Sequence, residues 1–121
     1  MARNIWHKLI DKGAAATTAS FKTDKMYNLM LVVDSVGDAV DSAFTMTVYS
    51  STDAAGTVKT AIGIEPILTG VRDADGAIAF NEVSITAAYE IPGLHPYVYI
   101  AITGVTDDIL VNLWLGGSED V

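Results

Sequence analysis

Cysteine is absent from the chain. That excludes disulfides, thiolate zinc sites, iron–sulfur clusters and cysteine nucleophiles. Long apolar runs are missing too. The longest strictly apolar stretch is Leu29–Val33, far short of the ~20 residues that cross a bilayer. The N-terminal twenty residues hold no uninterrupted apolar segment of the kind a secretory signal needs, because His7, Lys8, Asp11 and Lys12 break it. No asparagine begins a glycosylation acceptor. The chain is therefore expected to be soluble and unprocessed, made in a cytoplasm, with no membrane partner. Positive charge is scarce: seven basic residues face fifteen acidic ones, for a net charge of −8. A surface this acidic repels phosphate backbones, so nucleic acid is not an expected partner.

What the chain does have is apolar residues in alternation. Half of its 121 residues are hydrophobic and 18% are charged, too apolar for a disordered segment. A chain of this size buries roughly two-thirds of its unfolded surface, enough for one core. In Ala43–Ser50, Phe44, Met46 and Val48 fall on one face, with Thr45, Thr47 and Tyr49 on the other. Tyr97–Thr103 sets Val98, Ile100 and Ile102 against Tyr97, Tyr99 and Ala101, and Ile109–Leu115 sets Ile109, Val111, Leu113 and Leu115 against Leu110, Asn112 and Trp114. This period of two is the signature of half-buried strands. The unbroken run Leu29–Val33 predicts a central strand buried on both faces. Weaker strand signals cover residues 5–10, 19–22, 57–64, 66–71, 77–81 and 83–91. Turn signals separate them at Asp34–Asp41, Asp53–Gly56, Asp73–Gly76, Pro92–Gly93 and Gly104–Asp108. No segment carries a capped helical stripe. Eight or nine short strands must hide two apolar sheet faces, so the expected fold is all-β. It is a single antiparallel β-sandwich of jelly-roll or immunoglobulin-like topology.

Residues 1–18 differ in character and are expected to form an N-terminal arm and connector ahead of a sandwich spanning 19–121. Five of the seven basic residues, Arg3, Lys8, Lys12, Lys22 and Lys25, lie in the first 25 positions, so a basic start precedes an acidic body. Within it Trp6 is flanked by Ile5, His7 and Lys8, the composition of a protein–protein anchor. The candidate partner-binding residues are Arg3, Ile5, Trp6, Lys8, Leu9 and Ile10. The competing reading of the same residues is a first strand docked on its own sheet.

Signs of chemistry are few. Asp73, Asp75, Gly76 and Glu82 follow a calcium-loop signature from its third position, but Val71 occupies the first ligand position and the flanks read as strands. An acidic turn explains them, as it explains Asp34, Asp38, Asp41, Asp107 and Asp108. His7 and His95, the two histidines, do not make a two-histidine metal site. There is no G-x-S-x-G elbow, phosphate-binding loop or dinucleotide fingerprint, and a Ser–His–Asp triad leaves no local signature to test. The chain is expected to be no enzyme and to need no cofactor or metal. Tyr97, Tyr99 and Trp114 raise a carbohydrate-binding module as the alternative, provided their rings form one exposed platform.

The segment FTMTVYSSTDAAGTVK (Phe44–Lys59) resembles a strand–turn–strand of small virion proteins of tailed bacteriophages. PYVYIAITGVTDDILVNLWLGG (Pro96–Gly117) is similar to the closing hairpin of the same proteins. The two segments cover about a third of the chain. Asp53-Ala-Ala-Gly56 stands where a tighter Asp-Gly is common, which implies a longer turn. The resemblance implies a capsid decoration (cement) protein: a structural β-sandwich on the outside of a phage head, in the virion. Its implied partners are the major capsid protein or copies of itself, a trimer favoured over a dimer. Another head or tail structural role is the nearest variant.

Overall fold

A computed structural model describes residues 2–13, 17–36, 44–62, 65–66, 71–72, 77–80, 84–103 and 110–120. Those residues form eleven strands: β1 (Ala2–Gly13), β2 (Thr17–Lys22), β3 (Met26–Val36), β4 (Phe44–Ser51), β5 (Lys59–Ala61), β6 (Glu65–Pro66), β7 (Val71–Arg72), β8 (Ala77–Phe80), β9 (Ser84–Ile91), β10 (Tyr97–Thr103) and β11 (Leu110–Asp120). Among the described residues there is no helix, hence none long and apolar enough to cross a membrane.

All pairings are antiparallel. One sheet runs β1-β11-β3-β9 with the short β6 at its end; the other runs β2-β10-β4-β8 with β7 at its end and β5 beside β4. Successive principal strands (β1/β2, β3/β4, β8/β9, β10/β11) alternate between the sheets, which is the jelly-roll arrangement. Of the two expected topologies, the jelly roll is therefore the one found. The alternation read from sequence explains the packing. Phe44, Met46 and Val48 of β4, Val98, Ile100 and Ile102 of β10, and Val111, Leu113 and Leu115 of β11 all point into the space between the sheets and are buried. Leu29, Leu31 and Val33 of β3 and Tyr89 of β9 join those of β11 on the inner face of the first sheet, opposite β4 and β10.

Three expectations change. Residues 2–13 are not an arm: β1 is hydrogen-bonded along β11 from Ala2↔Asp120 to Gly13↔Val111. β2 begins at Thr17, so no boundary falls at residue 18. The physical reason is that β1 buries Ile10 and packs Leu9 against the core, a gain that a free arm forgoes. Second, β3 is central in its sheet, but only one face is fully buried, because Met30 and Val32 lie half-buried on the outer face. Third, β11 continues through Gly116 and Gly117 to Asp120 instead of stopping near Leu115.

Loops at one end are pinned by side chains. His95 Nε2 meets the Pro92 carbonyl at 2.7 Å and Nδ1 meets Ser50 Oγ at 2.9 Å. Thr23 Oγ1 donates to the His95 carbonyl at 2.8 Å and Thr23 N to Pro96 O at 3.0 Å. Both ring nitrogens of His95 are thus engaged in holding residues 92–96 against β4, a structural task. The expected longer turn is also present. Residues 52–58 separate β4 from β5, with Thr57 N donating to Asp53 Oδ1 at 2.9 Å and Gly56 at φ +70°.

Candidate functional site

The two outer faces of the sandwich differ. On the first sheet, cross-strand registers place Lys8, Trp114, Val32 and Ala88 in one row, and Trp6, Gly116, Met30 and Glu90 in the next. Opposed residues in an antiparallel sheet share a face, so these two rows make a shelf of aromatic, aliphatic and glycine positions. Trp6 is 52% exposed. Its indole lies flat over β11, for a Cβ added at Gly116 would meet ring atoms of Trp6 at 2.5 Å. A glycine inside a strand is the device that permits such close approach. Trp6, Val32, Asp34 and Trp114 line an open recess of about 500 Å³. The Lys8 ammonium sits 4.9 Å from the Trp114 ring centroid and 2.8 Å from Asp11 Oδ1, and that contact holds the Asp11 carboxyl below its ordinary range.

On the second sheet the outward Tyr49 and Tyr99 are engaged within the chain and half-buried. Tyr99 opposes Tyr49, their ring centroids 6.0 Å apart in an edge-on arrangement. Lys59 Nζ lies 5.3 Å and 5.4 Å from the two rings and donates to Gly56 O at 3.1 Å. The 52–58 turn folds down so that Gly56 abuts the Tyr99 ring. Tyr97 and Tyr99 therefore face outward from one sheet and Trp114 from the other, with the buried core between them. No common platform of the three rings exists, and the motive for the carbohydrate reading is lost with it.

The six candidate partner residues divide sharply. Trp6 and Lys8 are exposed on the shelf, whereas Arg3 is exposed on the opposite side of β1, 3.2 Å from Glu119. Ile5 is half-buried on the opposite side of β1. Leu9, half-buried, packs against the core, and Ile10 belongs to it. A register shift between Lys8 and Ile10 turns the strand there. The basic start expected to seek a partner is substantially matched within the chain: Arg3 with Glu119, Lys8 with Asp11, and Lys22 with Asp24 at 4.0 Å. Sequence reasoning missed Gly116, Met30 and Val32, which complete the shelf. A glycine pair following an alternating strand, Gly116-Gly117, is the signal that could have pointed to it. The calcium-like residues Asp73, Asp75, Gly76 and Glu82, and Asp38, Asp41, Asp107 and Asp108, lie outside the described residues; Asp34 stands at the edge of the recess. Among the described residues no group of three potential ligands could hold a metal ion.

No family model and no curated protein matches the sequence. The fold does have counterparts. The chain is similar to the SPBc2 prophage-derived protein YomS, with a TM-score of 0.57 and 16% identity, over 98% of this chain and 96% of that one. At this identity the likeness establishes the shared sandwich fold over the full length. Two further structures superpose only below a TM-score of 0.5. One is a family 43 arabinoxylan arabinofuranohydrolase from Bacillus subtilis (0.42, 10% identity, 91% of this chain and 20% of that one). The other is the lysozyme inhibitor PliG of Aeromonas hydrophila (0.34, 10% identity, 98% and 85%).

Proposed function

We propose that this chain is a structural protein of a tailed-phage virion that docks on the outside of the capsid and stabilises it. The outer face of its first sheet is the contact surface. The observation that carries the reading is the shelf: a half-exposed tryptophan held flat on a glycine, beside a second tryptophan and two aliphatic side chains. Contact energy concentrates in such rigid aromatic anchors, where ordering cost is already met before association. The full-length fold shared with a prophage-derived protein supports a phage origin, and the resemblance of Phe44–Lys59 and Pro96–Gly117 to small virion proteins supports the decoration role. Lys8, clamped over Trp114, supplies a cation at the rim in an otherwise acidic chain, and repetition around a symmetric shell multiplies a modest single-copy affinity.

The test uses particles of the phage that encodes the chain. The protein is expected in purified particles by mass spectrometry, in stoichiometric amount and on the head exterior by immunogold microscopy. Trp6→Ala is expected to weaken binding to particles stripped of the protein by roughly 30-fold, the effect of a ~2 kcal/mol hot spot. Absence from particles overturns the virion role, and labelling confined to the tail overturns decoration. Wild-type binding by Trp6→Ala overturns the choice of face.

A further inference from the structure

Strand β1 has a second property, independent of the shelf. It is the terminal strand of its sheet, and among the described residues nothing pairs with its other edge. An unpaired edge invites another strand, and proteins guard against this with bulges, lysines and twisted ends. Here the guard covers half of the strand. Register shifts fall between Lys8 and Ile10 and between Ile10 and Gly13, and Lys12 adopts φ +54°. From Ala2 to Lys8 the register against β11 is regular. Alongside this regular half runs an open groove of about 600 Å³ lined by Arg3, Ile5, Trp6, His7, Phe21 and Glu119, among others. His7 and Phe21, 4.3 Å apart between ring centroids, form its floor where β1 meets β2. The Trp6 ring leans over Gly116, toward β11 and so away from the free edge.

We propose that two copies of this chain associate through the regular half of β1, pairing antiparallel about Ile5 across a two-fold axis and joining two first sheets into one. Charge selects a second copy as the occupant. Residues 26–121 hold thirteen acidic side chains and two basic ones, whereas residues 1–25 hold two acidic and five basic. Two molecules of net charge −8 repel wherever their acidic bodies face each other, and least where β1 and β2 face each other. At that side Arg3, Lys8 and Lys22 carry matching carboxylates on their own chain, so cations do not collide either. Pairing about Ile5 sets Ile5 against Ile5 of the second copy, Arg3 against His7 and Asn4 against Trp6. No two lysines or arginines oppose, and the apolar midpoint covers the His7–Phe21 floor. It also brings the two Trp6 shelves side by side on one surface. The contact is isologous and closes at two copies, where the family resemblance favours three.

Sedimentation equilibrium of the full chain is expected to give a dimer of 25.6 kDa, twice the 12.8 kDa chain mass. Ile5→Lys, which plants an inward charge at the midpoint, is expected to shift the equilibrium at least tenfold toward monomer while its melting transition persists. The absence of cysteine gives a readout that survives any folding loss in that variant. Ile5→Cys is expected to form a disulfide-linked dimer on mild oxidation, and Thr60→Cys, exposed on β5, is not. A wild-type chain that stays monomeric or forms a trimer overturns the proposal. So does equal cross-linking of the two cysteine variants, or dimerisation undisturbed by Ile5→Lys in a folded protein. None of these readings depends on the presence of a capsid.

Discussion

The two outer faces of the sandwich start from similar material and end differently. Each presents a pair of large aromatics with a lysine above them and a glycine beside them. On the second sheet Lys59 bridges Tyr49 and Tyr99 and ties itself to Gly56 O, and the 52–58 turn brings Gly56 against the Tyr99 ring. On the first sheet Trp6 lies on Gly116 with half its surface open, and Lys8 leans on Trp114 from the rim. The difference teaches where aromatic surface is finished as structure and where it is left for a partner. The tyrosines are consumed by their own loop. Trp6 is positioned but not covered, and Trp114 beside it is half-buried.

The sharpest way to break this comparison is to add one methyl group on each side. Gly56→Ala meets both a φ of +70° and the Tyr99 ring at 2.9 Å. We expect a loss of about 2–3 kcal/mol in urea unfolding, from left-handed backbone strain plus overpacking against a ring that cannot retreat. Gly116→Ala meets the Trp6 ring at 2.5 Å, but that ring can swing into solvent. A loss of about 1 kcal/mol with a red-shifted tryptophan emission is expected. If Gly116→Ala costs more than Gly56→Ala, Trp6 is held as firmly as Tyr99 and the contrast between the faces fails.

A smaller effect comes from the cations. Lys59→Ala removes two ring contacts and a hydrogen bond to the turn, for about 1 kcal/mol and faster amide exchange in residues 52–58. Lys8→Ala is expected to cost less, since its shelf is open to water. Equal losses would erase the distinction between a sealed and an open face.

The smallest effect is a pH dependence confined to the sealed face. The Thr57 backbone N–H and then the Thr57 side chain, with the N–H groups of Gly56 and Ala55 contributing less, hold the Asp53 carboxyl below its ordinary value of 3.8. A carboxyl whose value is lower in the folded state than unfolded stabilises the fold at neutral pH. That contribution declines once pH falls below 3.8 and is gone below the folded value. Protection of the 52–58 amides, taken against the intrinsic exchange rate at each pH, is therefore expected to fall below about pH 4. Asp53→Asn keeps an acceptor for Thr57 N–H and should remove the pH dependence of this turn. An equal fall in protection in that variant would show that another group governs the loop.

Much of the fold was legible in the chain because alternation is a local signal. Phe44–Val48, Val98–Ile102 and Val111–Leu115 each announced an inward and an outward face, and the structure uses those faces as expected. The site was only half legible. Trp6 and Lys8 stood out by composition, but their shelf exists through registers that join residues more than a hundred positions apart, Trp6↔Gly116 and Lys8↔Trp114. No local pattern encodes such a pairing. Leu9 and Ile10 were hard to place for a related reason: the composition of residues 1–18 suits a partner-binding arm and a docked first strand alike, and only the register shift after Lys8 turns these two side chains to the core. Met30 and Val32 looked wholly buried within Leu29–Val33, because an unbroken apolar run is the mark both of a two-sided buried strand and of a strand with one face kept for a partner.

The most direct measurement is particle binding by two folded variants side by side. Trp6→Ala is expected to keep its melting temperature within a few degrees and to bind stripped phage heads roughly 30-fold more weakly, an open-face anchor lost. Tyr99→Ala is expected to lose about 2 kcal/mol of stability, because its ring supports the 52–58 turn, and, where folded, to bind as the wild type does. Binding that falls with Tyr99→Ala and not with Trp6→Ala would contradict the assignment of the first sheet's outer face as the surface that meets the partner.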